Sequence, residues 1–192
     1  KELAVKNPYL KLVFLIFYRG YGGALISGFN NSKYDFVFYT DGDFQYDVSE
    51  IVKLANEVNS KIDVVQGYKI QRHDPWYRVV IGDVYNFGVR IAFGIKIRDV
   101  DCDFRLIRRD VFKNIQLTRN SGVITVEIVK KIQDGGFKFK EVPVSHYSRA
   151  WGSSQFFNYK RVFRVWVELI YLWKELVFDK WQTTNSSKVK GS

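Results

Sequence analysis

Asp41 and Asp43 stand two residues apart where an apolar stretch, Phe36-Val37-Phe38-Tyr39, runs out into a loop. Two carboxylates at that spacing can turn toward one hard cation, and Gly42 between them lets the backbone come close to a ligand. Mg2+ and Mn2+ keep several waters and take one or two carboxylates plus substrate phosphates, so the pair suits a diphosphate-bearing ligand. Such a cation would neutralise charge developing on a leaving diphosphate. An Asp-Gly-Asp standing alone reads first as a turn with solvated acids, so its neighbours decide its meaning.

Asp99, Asp101 and Asp103 crowd three acids into five residues beside Arg105, Arg108 and Arg109. Read from the residues alone they are surface ion pairs worth little. A hydroxyl nucleophile needs a positioned general base, the role open to Asp101. A phosphate acceptor is already anionic and chiefly needs cations around it, which Lys69, Arg72 and Arg78 could supply. Gly20-Tyr21-Gly22-Gly23, just ahead of a helical pattern, either brings backbone N–H groups such as that of Gly22 near a phosphate or is a plain turn into a helix. Arg149-x-x-Gly-x-Ser154 has two compatible readings: a bidentate phosphate contact from the arginine, and a loop leading to a helix capped by Ser153 or Ser154. His73 reads as solvent-exposed, and His146 as either a phosphate contact or a packed side chain. The single cysteine, Cys102, excludes an internal disulfide and reads as a packed thiol.

The elements that must position these residues follow from periodicity. Apolar runs over 12–17 and 35–39 predict buried strands, with a helix between them over 20–29. Asp47 followed three residues later by Glu50 has the form of a capping box, and Ile51, Leu54, Ala55 and Val58 then share a helical face. Residues 62–65 return as a strand, 76–93 as a helix, 104–107 as a strand, and 124–132 as a helix closed by Gly135-Gly136. Residues 137–144 alternate as a strand with one wet face. The alternation predicts an α/β fold with a mainly parallel sheet covered on both faces, and ligands beyond the carboxyl ends of its strands. Residues 155–181 predict an amphipathic helix. Lys160, Arg164, Glu168, Tyr171, Glu175 and Asp179 fall on one face, and Phe156, Phe163, Val167, Ile170, Trp173, Val177 and Trp181 on the other. It would lie on a membrane or pack across the sheet. The polar stretch 182–192 reads as a disordered tail.

A chain of 192 residues with 46% hydrophobic residues can bury one sizeable core. Its net charge of +10 favours anionic partners such as nucleotides, lipid phosphates or anionic membrane. Nucleic acid fares poorly, because the aromatic residues sit in apolar patterns and no nucleic-acid motif occurs. Residues 1–10 lack the order of a secretory signal, and no uncharged apolar run reaches 18 residues.

Several motifs occur together and in order: residues 20–25 (GYGGAL), 39–47 (YTDGDFQYD), 99–105 (DVDCDFR), Glu127 on a helix, 141–144 (EVPV) and 149–157 (RAWGSSQFF). In this series the chain resembles family 2 glycosyltransferases of the polyprenyl-phosphate sugar synthase type, over roughly residues 12–173. The resemblance implies a GT-A, Rossmann-like fold, with core residues 1–154, and inverting transfer of a sugar. The donor would be a nucleotide-sugar, the cofactor Mg2+ or Mn2+, and the acceptor a polyprenyl phosphate, met by a peripheral protein at the cytoplasmic face of a membrane. Asp41 and Asp43 would hold the metal and donor diphosphate with Gln45 beside them, and Asp101 or Asp99 would face the reaction. Arg149 and Ser154 would close over the phosphates. Lys69 falls where many relatives carry an arginine for the acceptor phosphate, Arg78 matches a second such arginine, and Gly82 replaces a frequent serine. The family's opening strand, with its proline, asparagine and glutamate, does not occur before Leu12, and Tyr18 replaces the asparagine usual before the glycines, so the first strands are expected to be missing. The alternative is a catalytically incomplete module of the same type that binds lipid or a partner.

Overall fold

A computed structural model describes residues 6–15, 17, 19–70, 75–148 and 159–181. Ten elements follow in order: α1 (Gly20–Asn31), β1 (Phe36–Thr40), α2 (Ile51–Ala55, led by a 3-10 turn at Val48–Glu50), β2 (Val64–Ile70), α3 (Trp76–Phe93), β3 (Phe104–Arg108), α4 (Val111–Asn114), α5 (Ile124–Asp134), β4 (Phe139–Ser145) and α6 (Tyr159–Trp173). The strands form one sheet in the order β1-β3-β2-β4. β3 runs antiparallel to both neighbours, whereas β2 and β4 are parallel, so β1, β2 and β4 all point the same way. The sheet is therefore mixed, with one reversed strand among three that agree with the parallel expectation.

Side-chain alternation along the strands gives the sheet two apolar faces. Tyr39, Val64 and Ile107 pack with Phe29 of α1 and with Ile124, Ile128 and Ile132 of α5. Val65, Phe104, Leu106, Val142 and Val144 pack on the other face with Leu54 of α2, Tyr46 and Cys102. A third cluster joins α3, α5 and α6 through Val89, Phe93, Val126, Val129, Leu169, Leu172 and Leu176. The bounds of α3 have local causes: Pro75 precedes it, and Gly94 ends it at φ +63° with its N–H on the Arg90 and Ile91 carbonyls.

Two expectations are corrected. The described residues of 12–17 form no strand, and Leu12, Val13, Phe14, Leu15 and Phe17 are exposed. An apolar run becomes a strand only on a partner ladder, and among the described residues β1 pairs with β3 alone. Asp47 does accept from the Ser49 N–H at 2.9 Å, but Glu50 does not reach back to complete a capping box. Its Oε2 instead accepts the Ser145 N–H at 3.1 Å, tying the turn before α2 to the end of β4.

The helix expected over 155–181 is seen from Tyr159 and continues through a π turn at Lys174–Phe178 to 181. Two of its acidic side chains reach the protein: Glu168 accepts from the Ser121 hydroxyl, and Glu175 pairs with Arg119. Phe163, Trp166 and Ile170 are the exposed ones, Phe163 at 71%. Among the described residues no helix is long and apolar enough to cross a membrane.

Candidate active site

The carboxyl ends of β1, β2 and β4 and the start of β3 meet at one edge of the sheet. Pairing of Thr40 with Phe104 sets Asp41 beside Asp103, and pairing of Lys69 with Val144 sets Lys69 close to the end of β4. Past that end the loop carrying Asp41 and Asp43 is stitched across. Tyr46 bridges to His146, the Tyr147 N–H donates to the Gln45 carbonyl at 2.8 Å, and Gln45 Nε2 donates to the Tyr147 carbonyl at 3.1 Å. Asp43 Oδ1 accepts the Gln45 N–H at 3.2 Å. Phe44 between them sits at φ +59°, a left-handed conformation that costs a non-glycine residue about 1–2 kcal/mol, and its ring is exposed.

Behind this loop lies a buried polar network. Tyr39, Arg105, Gln66 and Glu141 form one row across all four strands. Arg105 is fully buried; Nη1 donates to the Tyr39 hydroxyl at 2.5 Å, and Nη2 donates to the Val100 carbonyl. Burial pulls its pKa down, but Tyr39 and Asp103 outweigh it and the net shift is upward. Gln66 Nε2 donates to the Cys102 carbonyl at 3.0 Å. Arg105 and Gln66 thus fix the turn 99–103 from beneath. Burial raises the Asp103 carboxyl despite Arg105, and raises Asp101 despite Lys69. Cys102 is buried and its thiol is pushed up to about 12, as a packed thiol should be.

Lys69 grips the same turn. Its Nζ lies 2.9 Å from the Asp101 carbonyl and 3.6 Å from Asp99 Oδ1, and its N–H donates to Asp99 Oδ2 at 3.2 Å. It also lines an open cleft of about 410 Å³ with Tyr68, Val79, Asp83, Asn86, Arg98 and Asp99. Arg78 lies in the first turn of α3, beside Val79 of that cleft. Arg149 and Ser154 lie outside the described residues, as do Arg72 and His73.

The glycine turn has a different geometry from the phosphate cradle that was one of its two readings. The Gly22 N–H donates to the Asn120 carbonyl at 2.9 Å, and a Cβ on Gly22 would come within 2.2 Å of the Arg119 carbonyl oxygen. The glycines serve close packing against residues 119–120, so the Gly22 N–H lends no support to a donor contact. What the turn delivers is Tyr21, whose hydroxyl donates to Asp41 Oδ1 at 3.0 Å. Burial, then the Asp103 and Asp41 carboxylates, push the Tyr21 phenol far above its ordinary range. Tyr21 and Arg105 were not among the expected site residues. A charge inside the apolar run Phe-Arg-Leu-Ile was the available signal for Arg105; for Tyr21 the sequence carried none.

The family model described as Glycosyl transferase family 2 matches residues 1–116. The chain belongs to that family. Among curated relatives, the undecaprenyl-phosphate 4-deoxy-4-formamido-L-arabinose transferase of Aeromonas hydrophila is 28% identical over 148 residues, covering 76% of this chain and 44% of the relative. The polyprenol monophosphomannose synthase of Mycolicibacterium smegmatis is 25% identical over 147 residues, covering 71% and 56%. The chain thus spans about half the length of the curated relatives it matches. Glucosyl-3-phosphoglycerate synthase from Mycobacterium tuberculosis, in complex with phosphoglyceric acid, superposes with a TM-score of 0.59 at 12% identity, covering 88% of this chain and 57% of that one. The same enzyme with Mn2+ and UDP-glucose gives a TM-score of 0.57, also at 12% identity, covering 84% and 56%. These likenesses establish the GT-A fold for this family 2 chain.

As a metal site, the end of β1 offers two oxygen-donor side chains, and the described residues contain no group of three or more potential ligands. That donor set fits an ion that takes one or two carboxylates and draws its remaining ligands from phosphate oxygens and water.

Proposed function

We propose that this family 2 chain transfers a sugar, with inversion, from a nucleotide-diphosphate donor to a polyprenyl phosphate at a membrane surface. The observation that carries the reading is the meeting of residues 41–45, Lys69, 99–103 and 145–147 at one sheet edge. The two polyprenyl-phosphate enzymes among the relatives support the choice of acceptor.

In this reading Asp41 and Asp43 hold Mg2+ or Mn2+ against the donor diphosphate, with Gln45 beside them. The ion offsets charge on the departing diphosphate. Lys69 holds the 99–101 turn through the Asp101 carbonyl and the Asp99 carboxylate beside the cleft, and with Arg78 supplies cations for the acceptor phosphate. Arg149 and Ser154 close over the phosphates. An acceptor that arrives as an anion needs placement more than deprotonation. Asp101, half-buried and with a raised pKa, serves orientation with a phosphate acceptor and proton removal with a hydroxyl one.

The membrane part of the reading is supported by large apolar side chains exposed on both α3 and α6. Trp76, Val80, Val84, Phe87 and Ile91 recur every three or four residues along α3 and are all exposed, Trp76 at 78%. Tyr85, on the side of α3 that packs with Val89 and Phe93, meets Trp166 of α6 edge to face, and Phe163, Trp166 and Ile170 of α6 are exposed as well. Exposed aromatic and aliphatic side chains flanked by Lys160 and Arg164 suit the headgroup region of an anionic bilayer.

The test is transfer from UDP- and GDP-sugars to a short polyprenyl phosphate in vesicles. Activity should require Mg2+ or Mn2+, and Asp43→Asn should lower it by about a hundredfold or more while the fold persists. Full turnover in excess chelator would overturn the metal assignment, and transfer to a free hydroxyl acceptor with none to the phosphate would overturn the acceptor.

A further inference from the structure

We propose that Tyr21 is a positioning residue for Asp41: its phenol fixes the carboxylate so that a cation is taken through one oxygen, which favours Mg2+ and Mn2+ over Ca2+. The inference rests on the proposed metal role of Asp41. The phenolic hydrogen on Oδ1 at 3.0 Å occupies one acceptor position of that oxygen, so Oδ2 is the less encumbered oxygen for a cation. Mg2+ and Mn2+ suit such single-oxygen ligation in an octahedron, whereas Ca2+ takes six to eight oxygens and readily uses both oxygens of a carboxylate.

The surroundings of Tyr21 hold it in this place. Gly20 begins α1 at φ +69°, and a Cβ there would lie 2.4 Å from the Asn120 carbonyl oxygen. The Gly22 N–H is bonded to the same carbonyl, so the residues on both sides of Tyr21 are seated on the backbone of 119–120. That backbone is itself clamped. The fully buried Glu127 carboxylate accepts the Thr118 N–H at 3.0 Å, the Thr118 hydroxyl at 2.8 Å, the Arg119 N–H at 2.9 Å and Lys131 Nζ at 2.7 Å. A chain of contacts therefore runs from α5 through residues 118–120 and the glycine turn to the hydroxyl on Asp41. Such supporting contacts are what hold a ligand side chain within a fraction of an ångström of its working position.

The experiment measures Mn2+ binding to the purified chain in the presence of UDP by electron paramagnetic resonance, with Ca2+ as competitor, for wild type, Tyr21→Phe and Gly22→Ala. Asp43→Asn serves as the site control. Phenylalanine keeps the ring and its packing but loses the hydroxyl, so the preference for Mn2+ over Ca2+ should fall about fivefold. Gly22→Ala keeps the hydroxyl but must shift it, and should lower the preference in the same direction. A preference within about twofold of wild type in Tyr21→Phe overturns the inference. Absence of Mn2+ binding by wild type, or undiminished binding by Asp43→Asn, identifies the metal reading itself as the failure and removes the inference with it.

Discussion

At the scale of single residues, charge burial is concentrated beside the candidate site. Arg105 and Asp103 are buried, and Asp101 is half-buried with its carboxyl pushed up chiefly by desolvation. Because the folded-state pKa of Asp101 lies above the unfolded one, its contribution to stability is fully present below the ordinary carboxylate range and is lost as pH rises through the folded value. Asp101→Asn lacks that loss. Thermal melts should show the variant more stable than wild type at neutral pH, by roughly 1 kcal/mol. The difference should shrink to nothing as pH falls below about 4. An acid whose charged form is disfavoured by burial beside a candidate site is the pattern of a group kept for work, so sugar transfer by the same variant should fall. A pH-independent difference would show that desolvation is not the governing effect.

At the scale of elements, Glu127 connects helix, loop and site. Replacing it by Gln keeps the shape but turns a charged acceptor of several N–H and O–H groups into a neutral one with a single carbonyl. Glu127→Gln should lower stability by about 2–3 kcal/mol in urea unfolding, mainly as a shift in midpoint with little change in slope. A loss below about 0.5 kcal/mol would mean that the 118–120 loop holds itself. Glu127 was legible as part of a motif but not as a clamp, because its partners are backbone N–H groups that no side-chain pattern reveals. The Asp41-Gly42-Asp43 loop was legible because an apolar strand must end where charges begin, and α3 because Pro75 and Gly94 punctuate it. The run 12–17 misled because hydrophobicity specifies burial without naming a partner strand. The direction of β3 was hidden for a related reason: a period of two is the same read forward or backward. Glu50 left its expected cap because the Ser145 N–H, distant in sequence, competed for the same carboxylate.

At the scale of the whole molecule, positive charge and the apolar side chains exposed on α3 and α6 point to the same kind of surface. The chain carries thirty Lys and Arg against twenty Asp and Glu. It should sediment with vesicles rich in anionic lipid, and the bound fraction should drop as salt is raised. Val84→Asp with Phe87→Asp on α3 should weaken binding about tenfold or more while leaving the melting curve near that of wild type, since both side chains are already exposed. Vesicle binding unaffected by the double substitution would exclude α3 from the contact.

The sheet order described above also bears on how the chain reaches its native state. Among the described residues no ladder joins segments that are near neighbours in sequence: Val64 pairs with Ile107 and Phe139, and Phe36 pairs with Arg108. Without a hairpin the sheet has no local nucleus, and each pairing must close a long loop before any contact repays the lost chain entropy. α1, α3 and α5 can form early, whereas β2 waits for two strands made well after it. While β2 waits, its apolar run Val64-Val65 presents open edges to other chains, so newly made protein should aggregate more readily than the folded protein does.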